Sequence, residues 1–247
     1  MTFKDHFSSK SGDYAAYRPT YPSALIDYLA GLCRSTDVAL DVGCGTGQLS
    51  VLLANRFRSV IATDASAKQI ESAVPHEGVS YRVAPAEKTG LEDRSVDLVT
   101  VAQAAHWFDL PAFYEEMRRI GKPGSVLALI TYGVIQADPD IDPVIQHFYR
   151  DVIGPYWPPE RRHVEEGYRG FDFPFAELTP PSMAITVQWG VEDLIGYADT
   201  WSAVRAAEKS LGQQPIAEFA HELRKAWGPT DHRRTIRFPL SFRIGRV

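Results

Sequence analysis

The sequence predicts an α/β fold with a doubly wound parallel sheet, and three observations carry that prediction. Short apolar runs alternate with amphipathic stretches from Pro22 to Thr131, which is the pattern of successive βαβ units. A turn with three glycines, from Gly43 to Gly47, directly follows the first apolar run. The second apolar run ends at Asp64, 23 residues after Asp41 at the end of the first run. This separation is close to the spacing of about 20 residues at which an acidic side chain reaches a ribose in such folds.

The individual elements follow in order from these apolar runs. Pro22 suits the start of a helix whose apolar stripe contains Leu25, Ile26 and Leu29. Five strands are expected, at residues 38–41, 59–63, 79–84, 96–102 and 126–131. Helices are expected at residues 47–57, 66–73 and 111–119, with Ser66 as an N-cap, and a tight turn at residues 121–124 precedes the fifth strand.

The regular alternation stops after the fifth strand. Residues 133–182 are rich in proline and aromatic residues, and a segment of this length between strands indicates a lid or insertion. Strands at residues 183–189 and 235–244, with a helix at 215–227, raise the expected total to seven strands. We therefore predict a single domain over residues 1–247. Its parts are a lead-in and first helix (1–36), a cofactor-binding core (37–132), the lid insertion (133–182) and C-terminal elements that complete the sheet (183–247).

Composition argues against several classes of protein. The 247 residues carry a net charge of -5, which gives no basic footprint for nucleic acid. Cys33 and Cys44 are too few for a disulfide framework, which indicates a reducing compartment. Neither a signal-peptide pattern nor an apolar run of about 18 residues is present. The His, Cys and carboxylate residues show none of the spacings typical of metal ligands. The sequence thus predicts a cytoplasmic protein that uses neither a membrane nor a metal.

The glycine turn indicates which ligand it faces. A dinucleotide fingerprint would place a glycine at position 48, where this chain has Gln, and Asp41 puts a negative charge at the end of the first strand. That charge repels a phosphate and favours a cation. S-adenosylmethionine carries a sulfonium and an ammonium but no phosphate, so it is the expected ligand. Asp64 would accept its ribose hydroxyls, the alternative role being a helix cap.

Candidate site residues also follow the third and fourth strands. Ala86 and Glu87 stand where an adenine ring would lie, and a small residue followed by a polar one suits recognition of a base edge. Ligands bind outside the carboxyl ends of parallel strands, so the segment from Gln103 to Phe108 faces the site. His106 is the histidine that this topology brings near the reacting group. An ordinary pKa of about 6.5 would suit it as a general base, the alternative being a pocket-wall residue.

Together these residues resemble the class I S-adenosylmethionine-dependent methyltransferases, and among them the type 11 branch that includes trans-aconitate methyltransferase-like proteins. The resemblance covers most of the chain. It is carried by residues 40–47, Asp64, Ala86–Glu87, residues 103–108, Pro123–Gly124 and the lead-in segment 14–22. It implies a seven-stranded Rossmann-like sheet with a lid after strand five, and S-adenosylhomocysteine as the product. The residues that would contact the donor are Tyr14, Arg18, Asp41, Gly43, Gly45, Gly47, Asp64, Ala86, Glu87 and Gln103, with Tyr14 and Arg18 at the methionine end.

The sequence indicates less about the methyl acceptor than about the methyl donor. A small molecule is expected, and a carboxylate acceptor would need no general base, whereas a hydroxyl or amine would need one, for which His106 is the candidate. His106 and Trp107 are the expected substrate contacts, and Arg161, Arg162 or Arg169 could hold an acceptor carboxylate. Aromatic residues of segment 133–182 either line the acceptor site or pack in the core. Two other functions stay open: a nucleic-acid methyltransferase, and a non-catalytic donor-binding protein. A monomer or homodimer is expected.

Overall fold

A mixed sheet of eight strands organises residues 19–247, the part of the chain that the computed structural model describes. The strands are β1 (Val38–Val42), β2 (Ser59–Asp64), β3 (Val79–Val83), β4 (Val96–Ala102), β5 (Gly121–Tyr132), β6 (Ala176–Leu178), β7 (Ala184–Trp189) and β8 (Arg234–Arg246). Their order is β3-β2-β1-β4-β5-β8-β6, and β7 pairs with β8 outside that path. Pairing is parallel among β1 to β5, which confirms the predicted α/β core, and antiparallel where β8 meets β5, β6 and β7.

The predicted count of seven strands is wrong for this structure, because β6 adds an eighth. Only three residues long, β6 pairs with the end of β8 through Ala176 and Arg246, Glu177 and Gly245, and Leu178 and Ile244. A strand this short has no readable period-two pattern, and tertiary pairing alone defines it. The strand lies inside the segment that the sequence interprets as a lid.

Helices cover both faces of the sheet. In the described residues they are α1 (Ser23–Leu32), α2 (Gln48–Leu53), α3 (Ala67–Glu71), α4 (Leu110–Ile120), α5 (Asp142–His147), α6 (Arg161–Glu165), α7 (Val191–Asp199), α8 (Ser202–Leu211) and α9 (Gln214–Trp227). Short 3-10 turns lie at Ala105–Trp107 and Gly154–Tyr156, and a π turn at Phe148–Val152. Ser66 caps α3, as predicted, because its Oγ accepts a hydrogen bond from the Gln69 amide at 3.4 Å.

The core has two parts, one on each face of the sheet. On one face, α1 and α2 pack with the C-terminal helices α7 to α9 against alternate residues of β5, such as Ala128 and Ile130. On the other face, Phe113 and Met117 of α4 pack against Leu127 and the neighbouring strands. The apolar run of β5 from Val126 to Ile130 thus follows from its burial on both faces.

The tight turn predicted at residues 121–124 is instead the first part of β5. Gly121 pairs with Val96, and the register of β4 against β5 shifts between Val96 and Leu98. The buried Asp97 occupies this irregularity and accepts hydrogen bonds from the Val38 amide at 2.9 Å and from Lys122 Nζ at 2.8 Å. This ion pair keeps Lys122 alongside β4, which explains why the chain is already in the sheet before its apolar run begins.

Segment 133–182 is largely packed into the protein. It contains α5, the π turn, a 3-10 turn, α6 and β6. Several of its aromatic side chains are buried: Phe148, Tyr149, Tyr168 and Phe173. For these four residues core packing accounts for the aromatic content, while a role for the segment as a lid stays a prediction. Within residues 19–247, none of the helices has both the length and the apolar character needed to cross a bilayer.

Substitution of Leu98 by Ala is expected to reduce the free energy of unfolding by about 2–5 kcal/mol, because the side chain is fully buried in β4. Urea unfolding followed by circular dichroism measures the loss. Val83→Ala is the control: Val83 is 56% exposed at the edge of the sheet, and a change within about 0.5 kcal/mol is expected. Equal effects of the two substitutions would contradict the assignment of β4 to the centre of the core.

Candidate functional site

The glycine turn joins β1 to α2 beside the carboxyl end of β2. Amides of Gly43 and Cys44 both donate to the Thr63 carbonyl, at 2.8 and 3.0 Å, so the turn is fastened to β2 by its backbone. The φ angles of Gly43, Gly45 and Gly47 are +67°, +56° and +84°. These values lie in the left-handed region that favours glycine. The sequence signal therefore has a direct conformational cause.

The three glycines differ in what surrounds them. A Cβ at Gly43 would lie 2.6 Å from Cβ of Ala104, which follows β4, and one at Gly47 would lie 2.7 Å from Cε1 of Tyr81. At Gly45 the nearest described atom beyond its chain neighbours is Gln69 Oε1, at 3.8 Å from such a Cβ. Gly43 and Gly47 thus permit close packing of the protein on itself, whereas Gly45 presents its Cα to open space.

Asp64 fixes the middle of the turn. Its Oδ2 accepts a hydrogen bond from the Gly45 amide at 2.9 Å, and its Oδ1 accepts one from the Ser66 amide at 2.8 Å. Ser66, not Asp64, is the N-cap of α3. The carboxylate therefore lies at the end of β2 next to the turn, as the sequence predicts, and its contact with a ribose stays a prediction.

Asp41 lies beneath the turn and is 1% exposed. Its Oδ2 accepts a hydrogen bond from Ser50 Oγ at 2.6 Å and its Oδ1 one from Thr100 Oγ1 at 2.8 Å. Burial, with a smaller contribution from the charge of Asp64, raises the pKa of Asp41 to about 6 although the two hydroxyl hydrogen bonds act to lower it. A cation bound above the turn would offset this unfavourable concentration of negative charge.

Ala86 and Glu87 lie after β3. Ala86 is buried and belongs to the apolar cluster that also contains Val42, Ala105 and Phe108, which lie at or just after the carboxyl ends of β1 and β4. Oε1 of Glu87 accepts a hydrogen bond from the Asp109 amide at 2.9 Å. That bond joins the loop after β3 to the N-cap of α4. The predicted role of both residues in holding an adenine ring stays a prediction.

Gln103 is one of the few described non-glycine residues with positive φ, at +58°. Its Nε2 donates to the Tyr132 carbonyl at 2.9 Å, and its Oε1 accepts from Thr131 Oγ1 at 2.7 Å. The side-chain amide is thus bound to the end of β5. The hydrogen bonds to Thr131 and Tyr132 hold Gln103 in its strained backbone conformation. Contact of Gln103 with the donor remains a prediction.

His106 lies in the 3-10 turn after β4, with the ring of Trp107 tilted against it at 4.7 Å between centroids. Nδ1 of His106 is 3.0 Å from the Tyr168 hydroxyl, a hydrogen bond that sequence reasoning did not predict. Burial lowers the pKa of His106 to about 3, and the neighbouring side chains of Arg161 and His163 act in the same direction. The imidazole is therefore neutral at physiological pH and a much weaker base than a free histidine.

Tyr168 is an aromatic residue of segment 133–182 whose place beside His106 the sequence did not predict. It is fully buried, and burial raises the pKa of its hydroxyl although a hydrogen bond with Thr131 and the charge of Arg161 oppose that shift. Thr131 donates to Gln103 and Tyr168 is hydrogen-bonded to His106, so four polar side chains lie near one another at the ends of β4 and β5. Only the general aromatic content of segment 133–182 indicated such a contact. Tyr14 and Arg18, the predicted contacts at the methionine end, lie outside the described residues.

Comparison with known proteins gives a consistent result. Residues 40–129 match a family model described as a methyltransferase domain. A protein of Dictyostelium discoideum that bears the name of a methyltransferase is 36% identical over 233 residues, which cover 93% of this chain and 89% of that protein. These matches span the glycine turn, Asp64 and the segment after β4.

Two solved structures extend the comparison. One, from Anaeromyxobacter dehalogenans and described as a type II methyltransferase, is 45% identical with a TM-score of 0.89 and covers 93% of this chain and 97% of its own. The other, a protein of Anabaena variabilis named as a methyltransferase of an antibiotic biosynthesis pathway, is 20% identical with a TM-score of 0.54, covering 89% and 98%. The second comparison concerns the fold alone.

Gly45→Val is expected to abolish binding of S-adenosylmethionine while the protein remains folded, because the new side chain would project into the space in front of the turn. Isothermal titration calorimetry measures the binding. Gly90→Val is the matched control: Gly90 also has positive φ and nothing within 4 Å of its Cβ position, so each substitution should cost about 1–3 kcal/mol of stability. Retention of wild-type affinity by Gly45→Val would remove the turn from the donor site.

The imidazole of His106 is expected to show no titration between about pH 5 and 8 in NMR spectra, with the resonance assigned by its absence from His106→Gln. The folded pKa, about 3, lies below the unfolded value of about 6.5, so the unfolded state binds more protons between these values. The stabilisation from His106 is therefore complete above about pH 6.5 and is lost as the pH falls toward 3. A midpoint near pH 6.5 would contradict this environment.

Proposed function

The chain belongs to the S-adenosylmethionine-dependent methyltransferases, and we propose that it methylates an oxygen of a small molecule, with a carboxylate as the favoured acceptor. The observation that carries this choice is the environment of His106. This histidine follows β4 at the carboxyl edge of the sheet, where ligands bind in such folds, and it is half-buried, neutral and hydrogen-bonded to Tyr168. A weak base at this place suits an acceptor that is already deprotonated.

The proposed donor site lies around the glycine turn. Asp64 holds the Gly45 amide and supports binding of the ribose, and Ala86 lies in the adjoining apolar cluster where the adenine would pack. The negative charge of Asp41 and Asp64 favours the cationic donor over a phosphate-bearing nucleotide. By the resemblance of residues 14–22, Tyr14 and Arg18 would complete the methionine end. The same resemblance supports the type 11 branch with the trans-aconitate methyltransferase-like proteins as a proposal.

The proposed reaction is an in-line displacement. An oxygen lone pair of the acceptor forms the new O–CH₃ bond while the methyl–sulfur bond breaks, and its electron pair stays on sulfur. The products are a methyl ester and neutral S-adenosylhomocysteine, and no proton moves if the acceptor is a carboxylate. The protein contributes alignment, which can be worth roughly 7–11 kcal/mol, and His106 and Trp107 serve as walls of the acceptor site.

The reaction can be tested with methyl-tritiated S-adenosylmethionine and a panel of small carboxylic acids and phenols. We expect transfer to an acid, with the label released as volatile methanol by mild alkali, because methyl esters hydrolyse there while methyl ethers and N-methyl groups do not. Asp64→Ala protein serves as the inactive control. Label that resists alkali would contradict a carboxylate acceptor, and label that precipitates with tRNA would favour the nucleic-acid alternative. Donor binding without transfer to any acceptor would favour a non-catalytic protein.

Asp64→Asn is expected to weaken donor binding roughly tenfold to a hundredfold, since the charged acceptor of the Gly45 amide is replaced by an amide. Calorimetry with S-adenosylhomocysteine measures the affinity. The control is Asp27→Asn, because Asp27 is half-exposed and pairs with Arg56 on the surface. An unchanged affinity of Asp64→Asn would contradict the ribose assignment.

A further inference from the structure

Three of the arginines in segment 133–182, Arg161, Arg162 and Arg169, are candidate partners of an acceptor that the sequence cannot rank. Arg162 is an exposed member of an i,i+4 ion pair, with Nε 2.7 Å from Glu166 Oε1, and Arg169 is also exposed. Arg161 differs from both, because only 21% of its side chain is exposed. Burial of this cation needs an explanation, since burying a charge is costly unless it is paired.

The position of Arg161 is fixed by aromatic residues. Its Nε donates a hydrogen bond to the Tyr149 hydroxyl at 2.8 Å. The guanidinium carbon lies 4.7 Å from the centroid of the Trp157 ring and 5.6 Å from that of Tyr149, as in cation–π contacts. These contacts hold the guanidinium group but do not neutralise its charge.

The charge of Arg161 is only loosely balanced. The carboxylate of Glu165 is 3.9 Å from Arg161 Nε and accepts a hydrogen bond from the Tyr149 hydroxyl at 2.6 Å instead. Within residues 19–247, neither terminal nitrogen of Arg161 makes a hydrogen bond or a closer ion pair. The two terminal nitrogens of the planar guanidinium group, which can bind both oxygens of a carboxylate, are thus available for a ligand.

Three other shielded arginines, Arg234, Arg243 and Arg246, have structural roles. Arg234 pairs with Asp138 at 2.7 Å, Arg243 pairs with Glu177 at 2.5 Å, and Arg246 donates to two backbone carbonyls. Each of these side chains forms ion pairs or hydrogen bonds with groups of the protein. Arg161 differs from these three, because its terminal nitrogens have no such partner in residues 19–247.

Arg161 is also close to the proposed reaction site. Its helix, α6, packs against the 3-10 turn that contains His106 and against β5. The positive charge of Arg161 lowers the pKa of both His106 and Tyr168, so it acts within electrostatic range of both side chains. Nδ1 of His163, on the same helix, is buried without a hydrogen-bond partner in the described chain. Polar groups without protein partners thus gather beside the end of β4.

We propose that Arg161 binds a carboxylate of the methyl acceptor through its two terminal nitrogens and is the residue that selects an anionic acceptor. This inference rests on the proposed function and makes it more specific. If the bound carboxylate is the one that is methylated, the ester product loses the charge that Arg161 recognises. The product then binds less tightly than the substrate, which favours its release.

The test measures binding apart from turnover. The full chain, saturated with S-adenosylhomocysteine, is titrated with benzoate and succinate at millimolar concentrations, with benzamide as the uncharged comparison. Binding is followed by calorimetry and by the Nε–H resonance of Arg161 in NMR spectra. At least one carboxylate should bind and shift that resonance, whereas benzamide should not. Failure of both carboxylates to bind would overturn the proposal.

Variants then identify the residue responsible. Arg161→Gln should weaken carboxylate binding roughly tenfold to a hundredfold, and Arg161→Lys should retain part of it, since lysine keeps the charge but lacks the fork. Arg162→Gln is the matched control, one residue away and exposed, and should bind as wild type does. Thermal unfolding of each variant confirms that it is folded. Wild-type binding by Arg161→Gln, or an equal loss in Arg162→Gln, would overturn the proposal.

Failure of this proposal can be distinguished from failure of the proposed function. Alkali-labile transfer to an acid that is unaffected by Arg161→Gln would leave carboxylate methylation in place and refute the role of Arg161. Carboxylate binding that depends on Arg161, without label transfer to any acid, would establish the binding site and refute methylation of a carboxylate.

Discussion

The hydrogen bond between the Gly45 amide and the Asp64 carboxylate is the contact on which the donor edge of the sheet depends. It joins the turn after β1 to the end of β2, beside two further bonds from Gly43 and Cys44 to the Thr63 carbonyl. Such a turn requires three residues with positive φ, which is why glycine occupies each of them. Asp41 lies underneath and adds negative charge that hydroxyl groups partly stabilise. A cationic ligand is the natural complement of this arrangement.

The proposed acceptor site depends on the burial of side chains, whereas the glycine turn depends on backbone geometry. Tyr168 comes from segment 133–182 and covers His106, which lowers the pKa of the imidazole and removes a strong base from the site. The same segment brings Arg161 beside the turn after β4. A site with a weak base and an available cation suits an acceptor that is already an anion. The proposed donor and acceptor sites would thus have opposite charge preferences on neighbouring parts of one sheet edge.

Sequence patterns predicted the features that local chemistry determines. The runs of β1 to β5, the glycines of the turn, the Ser66 cap and the place of Asp64 follow from periodicity, φ preference and capping. The eighth strand, the contact of Tyr168 with His106 and the difference between Arg161 and Arg162 arise from residues far apart in the chain or from burial. A local stretch of sequence cannot show contacts between residues that are far apart in the chain. The aromatic content of segment 133–182 alone indicates neither which residues these side chains contact nor which face of the sheet they cover. Gln103 shows the same limit, because its strained backbone and its bonds to β5 are tertiary features.

A crystal structure of the full chain with S-adenosylhomocysteine tests the central claim most directly. The account predicts both ribose hydroxyls within hydrogen-bond distance of the Asp64 carboxylate, the Gly45 backbone against the ligand, and the sulfur directed toward the side where His106 and Arg161 lie. A ligand bound elsewhere, or bound at this edge with its ribose away from Asp64, would contradict it.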